Sequence, residues 1–227
     1  MKRSDVNRIL REAEAFFESM RFALPPVARW RPADWRGKGG AIREIVDVGI
    51  GWDLTDFGLG GFRKKGLLLF TLRNGKPADA RYAKPYAEKI MIVEEEQLTL
   101  THFHWSKAED IINRGGGNLV LRLHNATADE RLADTPVTFQ QDGVTRTVPA
   151  GGTVTLQPGE SITLTQRLYH SFWGEPGRGK VLVGEVSAVN DDHTDNRFLD
   201  PHPRFPAIEE DEPPLHLLVS DYETWLR

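Results

Sequence analysis

Apolar residues near the start of the chain recur at steps of three and four: Val6, Ile9, Leu10, Ala13, Phe16, Phe17 and Met20. That spacing lays one stripe along a helix, with Ser4 placed to cap its start and Pro25-Pro26 to end it. Such a stripe docks on the parent domain. A second helix is expected around residues 40–47. Residues 49–61 are rich in glycine, but Gly58-Leu59-Gly60-Gly61 has neither the spacing nor the strand-to-helix context of a nucleotide-binding loop, and the stretch reads as turns.

From residue 65 the pattern changes to short apolar or alternating runs at 66–72, 89–93, 97–105, 118–125, 137–140, 144–148, 153–156, 161–173 and 180–189. Turn signals separate several of them: Asn74-Gly75 as a hairpin, then Asp142-Gly143, Gly151-Gly152, Pro158-Gly159 and Glu175-Pro176-Gly177. Many short strands at hairpin spacing predict a mainly β fold, an antiparallel sandwich or barrel. Residues 1–64 form its helical N-terminal region and residues 65–227 the β body. Within the body, residues 201–214 carry five prolines and the acidic run Glu209-Glu210-Asp211-Glu212, which predicts a solvated surface strap, while residues 215–226 are apolar enough to pack back.

Composition narrows the function. The 227 residues carry 29 Lys and Arg against 33 Asp and Glu, with no basic block, so nucleic acid is not an expected partner. The longest apolar stretch, Leu67 to Phe70, is far short of the ~20 residues that span a bilayer, and residues 1–20 are amphipathic rather than a secretory signal. A cytoplasmic protein without a membrane span is expected. The absence of cysteine removes thiolate metal sites, iron-sulfur clusters and cysteine nucleophiles together. Any metal must be held by nitrogen and oxygen, which directs attention to the seven histidines.

His102 and His104 stand two apart in a predicted strand, so both point to one face, and they share the parity of Leu98 and Leu100 if that strand is unbroken. Glu109 needs only a turn to swing back to the same centre. His170 shares parity with Ile162, Leu164, Leu168 and Phe172 and points inward as well. Three imidazoles and a carboxylate make an octahedral site with about two open positions, suited to Mn(II), Fe(II), Co(II) or Ni(II). Zinc usually takes three protein ligands and water in catalytic sites, and so fits less well.

An HxH pair, a following Glu and a distant His on a β-rich chain resemble the cupin superfamily. Within it, the string from His102-Phe103-His104-Trp105-Ser106-Lys107-Ala108-Glu109 through Asn113-Arg114-Gly115-Gly116-Gly117-Asn118-Leu119 resembles the signature of the D-lyxose isomerase family. The likeness extends over nearly the whole chain, including Gly51-Trp52-Asp53-Leu54-Thr55-Asp56-Phe57-Gly58 and Tyr86-Ala87-Glu88-Lys89-Ile90. It implies a cupin-type barrel or jelly roll and a homodimer. It also implies a metal-dependent aldose-ketose isomerase without organic cofactor, with Mn(II) as the first metal, acting on the monosaccharides D-lyxose and D-mannose.

That chemistry needs a base. Glu185 lies in an otherwise apolar strand, where it is either the proton-shuttling base, its pKa raised by apolar walls, or half of a salt bridge with a buried Arg or Lys. Glu109 is the next carboxylate for the role. Lys107 and Lys89 read as solvated surface charges by themselves, and the resemblance singles them out to bind hydroxyls or stabilise the enediolate. The polar segment 190–198, with Asp191, Asp195 and Arg197, is either sugar-binding or a surface loop, and Trp105 and Phe172 are either apolar walls for sugar carbons or packing. The rival readings are a non-haem oxygenase or oxidase and a non-catalytic sugar-binding cupin.

Overall fold

The computed structural model describes residues 1–226. One helix of four to five turns, α1 (Arg3–Ser19), precedes thirteen strands, and two short helices, α2 (Arg43–Asp47) and α3 (Tyr222–Trp225), flank them. The strands are β1 (Gly51–Thr55), β2 (Leu67–Arg73), β3 (Tyr86–Val93), β4 (Thr99–Phe103), β5 (Glu109–Gly116), β6 (Leu119–Asn125), β7 (Val137–Gln141), β8 (Val144–Val148), β9 (Thr153–Leu156), β10 (Ser161–Leu164), β11 (Leu168–Gly174), β12 (Val181–Ala188) and β13 (Arg197–Phe198). They form a large sheet in the order β1-β2-β3-β12-β5-β10-β7-β8 and a small one in the order β13-β4-β11-β6-β9. All the named pairings are antiparallel. This is the predicted cupin-type jelly roll, built as two stacked sheets whose hydrogen bonds do not close into a full barrel.

Alternation explains the layering. Leu69, Met91, Val93, Ile111, Val181 and Val183 of the large sheet meet Leu119, Leu121, Leu123, Leu168 and Phe172 of the small one in a single core. Their chain neighbours Leu68, Phe70, Ile90, Ile92 and Leu182 point the other way and pack with Val6, Ile9, Leu10, Ala13 and Phe17 of α1. Apolar cover on both faces is why 67–70 and 90–93 read as continuous apolar runs rather than as alternating ones.

Several expectations are corrected. The glycine-rich stretch contains a strand, β1, pairing residue for residue with β2 from Gly51↔Thr71 to Thr55↔Leu67. Gly51 has φ +144°, and a Cβ there would lie 2.1 Å from the Tyr222 hydroxyl, so only glycine lets the strand start beneath that ring. Strand β5 is absent from the sequence pattern, because Asp110, Asn113 and Arg114 interrupt its apolar positions. Asn113 is fully buried and donates to the carbonyls of Gly117 and Leu156. The run 161–173 is two strands in different sheets, β10 and β11, and Asn74-Gly75 opens a long connection to β3 rather than a tight hairpin.

Ser4 is not the helix cap. Lys2 holds that position without a side-chain bond, and Arg21, with φ +55°, lies just past the helix, well before Pro25. Nor is the acidic run merely solvated. Ser4 N–H and Oγ donate to Asp211, the buried Arg3 guanidinium donates to Glu210 and Asp221, and Asn7 Nδ2 donates to Glu212. Carboxylates gathered at a helix N-terminus also meet its positive dipole end. The run is a clasp that holds the start of α1.

Arg3→Met tests the clasp. The substitution leaves Asp221, whose side chain is 9 % exposed, without its cation, and breaking a buried pair costs about 3–5 kcal/mol. Urea unfolding should show a loss approaching that size, with earlier proteolytic cleavage in 200–214. An unchanged midpoint would mean that the clasp contributes nothing.

Candidate metal centre and acid-base site

Five strands and the links after β4 and β12 bring the chemistry together. In the small sheet, β4 and β11 set His102 directly opposite His170, and in the large sheet β12 sets Glu185 opposite Lys89 and Ile111. Glu109 is the first residue of β5 rather than part of a turn, and Lys107 lies in the short link before it. The strand carrying the histidines is not regular: two residues of β4, Leu100 and Thr101, lie against one of β11, Ser171, between the pairs His102↔His170 and Thr99↔Phe172. This bulge switches the parity, so Thr99 joins His102 in lining the cavity, while the Leu100 carbonyl accepts from His102 Nδ1 at 2.7 Å.

The other two imidazoles are oriented the same way. His104 Nδ1 donates to the Asp195 carbonyl at 2.9 Å and His170 Nδ1 to the Leu168 carbonyl at 3.0 Å. With the proton on Nδ1 in each case, all three Nε2 lone pairs turn inward, within 4.8 Å of one another. Glu109 joins them, its Oε2 3.5 Å from His104 Nε2 and its Oε1 3.2 Å from His170 Nε2. His170 Nε2 is fully buried and has no hydrogen-bond partner. Buried lone pairs that face one another repel unless a proton donor or a cation sits among them, and the donor set fits a divalent ion held by nitrogen and oxygen. Burial, with His170 and His104 adding to it, holds the His102 imidazole well below its ordinary pKa and therefore neutral, as a ligand must be.

Beside the histidines runs a chain of alternating charges. Lys107 Nζ lies 2.7 Å from Glu109 Oε2, 2.8 Å from Glu185 Oε1 and 3.2 Å from Asn190 Oδ1. Lys89 Nζ lies 2.7 Å from Asn190 Oδ1, 3.5 Å from Glu185 Oε1 and 3.7 Å from Asp192 Oδ1. Arg204 closes the series, paired with Asp53 and 3.7 Å from Asp192. Burial alone would make the Lys107 ammonium easier to deprotonate, but Glu109, Glu185 and Asp192 hold its pKa above the ordinary lysine value. Burial likewise opposes ionisation of Glu109 and of Asp192. Lys107 and His104 overcome it at the first, and Lys89, Arg204 and Lys107 at the second, so both carboxyls stay well below the usual range. Three cationic side chains against four carboxylates leave a surplus negative charge beside the imidazoles, which again suits a cation.

Of the sequence-predicted residues, His102, His104, His170, Glu109, Lys107, Lys89, Glu185 and Phe172 line this one cavity. Its free interior of ≈ 40 Å³ holds roughly two or three water centres. Glu185 is not against an apolar wall but against two lysines, which is the salt-bridge alternative. Trp105, Asp191, Asp195 and Arg197 stand outside the lining. Trp105 is 39 % exposed and donates to Glu130, as does Arg197. Asp191 closes its own turn onto His193 and Thr194. The Asp195 carboxylate accepts from the backbone N–H groups of Ser106 and Lys107, fixing the link that carries the ammonium.

Sequence reasoning missed Asp192, Asn190, Arg204, Phe57 and Phe198. Asp192 lies inside the polar segment 190–198 with no signal to raise it above its neighbours. Arg204 sits in the proline-rich strap, whose composition reads as surface. The Phe198 ring is 5.5 Å from His102 and 5.7 Å from Phe57, and the two phenyl rings complete the apolar side of the cavity.

Three imidazoles and a carboxylate between the sheets of a jelly roll, with a second carboxylate bridged to the first by an ammonium, fit a cupin-type metal centre equipped for proton transfer. The sequence profile of the D-lyxose isomerase family matches residues 1–222, and the chain belongs to that family. It is 55 % identical to the D-lyxose/D-mannose isomerase of Serratia proteamaculans and 51 % identical to that of Escherichia coli O157:H7, in each case over 98 % of both chains. Among solved structures, a mutant L-ribose isomerase of Acinetobacter sp. DL28 in complex with L-ribose superposes with a TM-score of 0.59, and the L-ribose isomerase of Cellulomonas parahominis with L-psicose superposes with 0.58. Identities are 16 % and 17 %, and 92 % of this chain and 98 % of each of those is covered. At that identity the likeness is one of fold.

Two outcomes follow from the geometry. His170→Ala should lower metal content measured by elemental analysis while circular dichroism stays native, and full occupancy would remove His170 from the ligand set. Asp192, with its pKa depressed in the folded protein, contributes stability that is present above about pH 5 and lost as pH falls through the ordinary carboxylate value of about 3.9 and beyond. In metal-free protein, Asp192→Asn should therefore be less stable than wild type at pH 7, the two curves converging below about pH 4. The side chain keeps 21 % exposure, so the gap should be modest. Parallel curves would count against the ion pairs.

Proposed function

We propose that the protein is a metal-dependent aldose-ketose isomerase that interconverts D-lyxose with D-xylulose and D-mannose with D-fructose. The observation that carries the reading is the Glu109-Lys107-Glu185 bridge: a second carboxylate, free of the imidazoles, is held by one ammonium beside the carboxylate that joins them. A module that only binds sugar needs no such base, and an oxygenase acting on an apolar substrate has no use for so many charged hydroxyl partners. The two relatives named D-lyxose/D-mannose isomerase support the same choice.

His102, His104, His170 and Glu109 would hold the ion, with Mn(II) first and Co(II), Fe(II) or Ni(II) as alternatives. When bound, it supplies Lewis acidity toward adjacent sugar oxygens. The proton transfers belong to this chain. Both lysines approach Glu185 Oε1, so Oε2 takes the proton from C2 of the open-chain aldose and returns it to C1. Lys107 donates to the oxygen on which negative charge develops, a role that preorganised donors in a dry site perform well. Lys89 donates to hydroxyls further along the sugar and Asp192 accepts from them, and the rings of Phe57, Phe198 and Phe172 keep bulk water from the enediol. A homodimer and a cytoplasmic location belong to the same proposal. Among the described residues, no helix is long and apolar enough to cross a membrane.

Purified protein should convert D-lyxose to D-xylulose, lose activity with a chelator and regain it with Mn(II) or Co(II). Oxygen uptake with Fe(II) and no ketose product would replace this reading by the oxygenase. Glu185→Gln should reduce turnover by ~10²- to 10⁴-fold, with metal content and KM little changed, and should abolish solvent deuterium incorporation at C1 and C2. Near-normal turnover in that variant would transfer the base to Glu109.

A further inference from the structure

Trp105, Arg197 and Tyr169 have a common destination on the outer face of the small sheet. Trp105 Nε1 donates to Glu130 Oε1 at 2.8 Å, Arg197 Nε donates to Glu130 Oε2 at 3.0 Å, and the Tyr169 hydroxyl donates to the Glu130 carbonyl at 2.7 Å. Arg167 Nη1 stands 3.5 Å from the same carboxylate. Three of these partners, Trp105, Tyr169 and Arg197, are each next to a residue that lines the cavity. Trp105 follows His104 and Tyr169 precedes His170, while Arg197 precedes Phe198, whose ring lies against His102. Neighbours on a strand point to opposite faces, so in β11 and β13 His170 and Phe198 turn into the cavity while Tyr169 and Arg197 turn out toward Glu130, and just past the end of β4 His104 and Trp105 divide in the same way.

The space between is filled. The Phe103 ring, between the two histidines in sequence, packs 4.7 Å from Tyr169 and 5.6 Å from Trp105, with the Arg167 guanidinium 5.3 Å away. Arg197 also anchors the segment whose Asp195 carbonyl accepts from His104 Nδ1. Glu130 itself lies in the loop between β6 and β7 at φ +62°, a left-handed conformation that non-glycine residues rarely adopt. The loop is closed by Glu130 N–H to the Thr127 carbonyl and Thr127 N–H to the Arg131 carbonyl. A disfavoured backbone held in place at the meeting point of four side chains points to a role beyond filling a turn.

We propose that Glu130 is a positioning residue for the metal centre: from outside the sheet it ties the chain segments carrying His104, His170 and Phe198 into one unit and so sets the spacing of the three imidazoles. The inference rests on the metal-centre reading and is independent of which sugar is used. Glu130, Arg197, Arg167 and Trp105 are each partly exposed, so their ion pairs contribute little to global stability. The effect falls on ligand geometry, and outer groups that orient ligands typically change metal affinity by 10- to 100-fold.

Co(II) titration of metal-free protein, followed by its visible d-d absorption, separates the two roles. Glu130→Ala should raise the Co(II) dissociation constant by ~10- to 100-fold and alter the band shape, while the metal-free protein melts within a few degrees of wild type. Glu130→Gln, which keeps an acceptor oxygen, should recover part of the loss. A Co(II) affinity within twofold of wild type and an unchanged band in Glu130→Ala would overturn the proposal, as would a loss of metal-free stability with the metal site unaltered. Should Glu130→Ala not fold, Trp105→Phe removes one donor and keeps a ring. A several-fold weaker Co(II) affinity then supports the proposal, and an unchanged one overturns it.

Discussion

The ammonium of Lys107, buried between Glu109 and Glu185, is the interaction on which the interior depends. Two carboxylates brought together in a sandwich core would repel each other and one would take up a proton. One cation placed between them offsets that repulsion. Its position is set by backbone rather than by side-chain packing alone, because the Asp195 carboxylate receives the Lys107 and Ser106 N–H groups. The same segment gives a carbonyl to His104. A short piece of chain between β12 and β13 therefore aligns the charged half of the cavity and one imidazole together.

The two sheets divide the labour. The small sheet carries His102 and His170, with His104 immediately past the end of β4, and has an aromatic outer face beneath Glu130. The large sheet carries Glu109, Glu185 and Lys89, and behind them α1 covers part of its outer face with Val6, Leu10 and Phe17. Both sides of the metal centre thus stand on strands whose opposite faces are packed. This is how a site made of long, flexible Glu and Lys side chains keeps its geometry: each is surrounded by buried neighbours and bonded at its polar end, so few alternative rotamers remain.

Much of the site is legible in the sequence because it obeys the two-residue period of strands. His102 and His170 face the same interior, as parity requires, and Glu185 stands out as a carboxylate among valines. What parity cannot reveal is where it fails. The β4 bulge brings Thr99 inward three residues from His102, and no residue type in Leu98-Thr99-Leu100-Thr101 marks it. Strands β1 and β5 are hidden for a related reason. Their polar residues, Asp53 and Asn113, are buried with partners supplied by distant segments, Arg204 in one case and the Leu156 carbonyl in the other. A sequence window sees such residues as solvated. The acidic clasp misleads in the same way, since its partners Arg3 and Asn7 lie some two hundred residues earlier.

That clasp bears on the order in which the molecule is assembled. The apolar stripe of α1 is made before any of the strands, yet the groups that pin its beginning come from residues 209–221, and Leu215 and Leu218 complete its packing. Strand β12, which joins β3 to β5 in the middle of the large sheet, is also made late. The two halves of that sheet therefore cannot unite until most of the chain exists, and contacts of such long sequence separation form slowly. In the interval, Val6, Leu10 and Phe17 have the cover of β1, β2 and β3 but lack Leu182, Leu215 and Leu218. A chain of this topology therefore holds its first helix half-covered until its last residues arrive, and apolar surface left open in that way promotes association between incomplete chains.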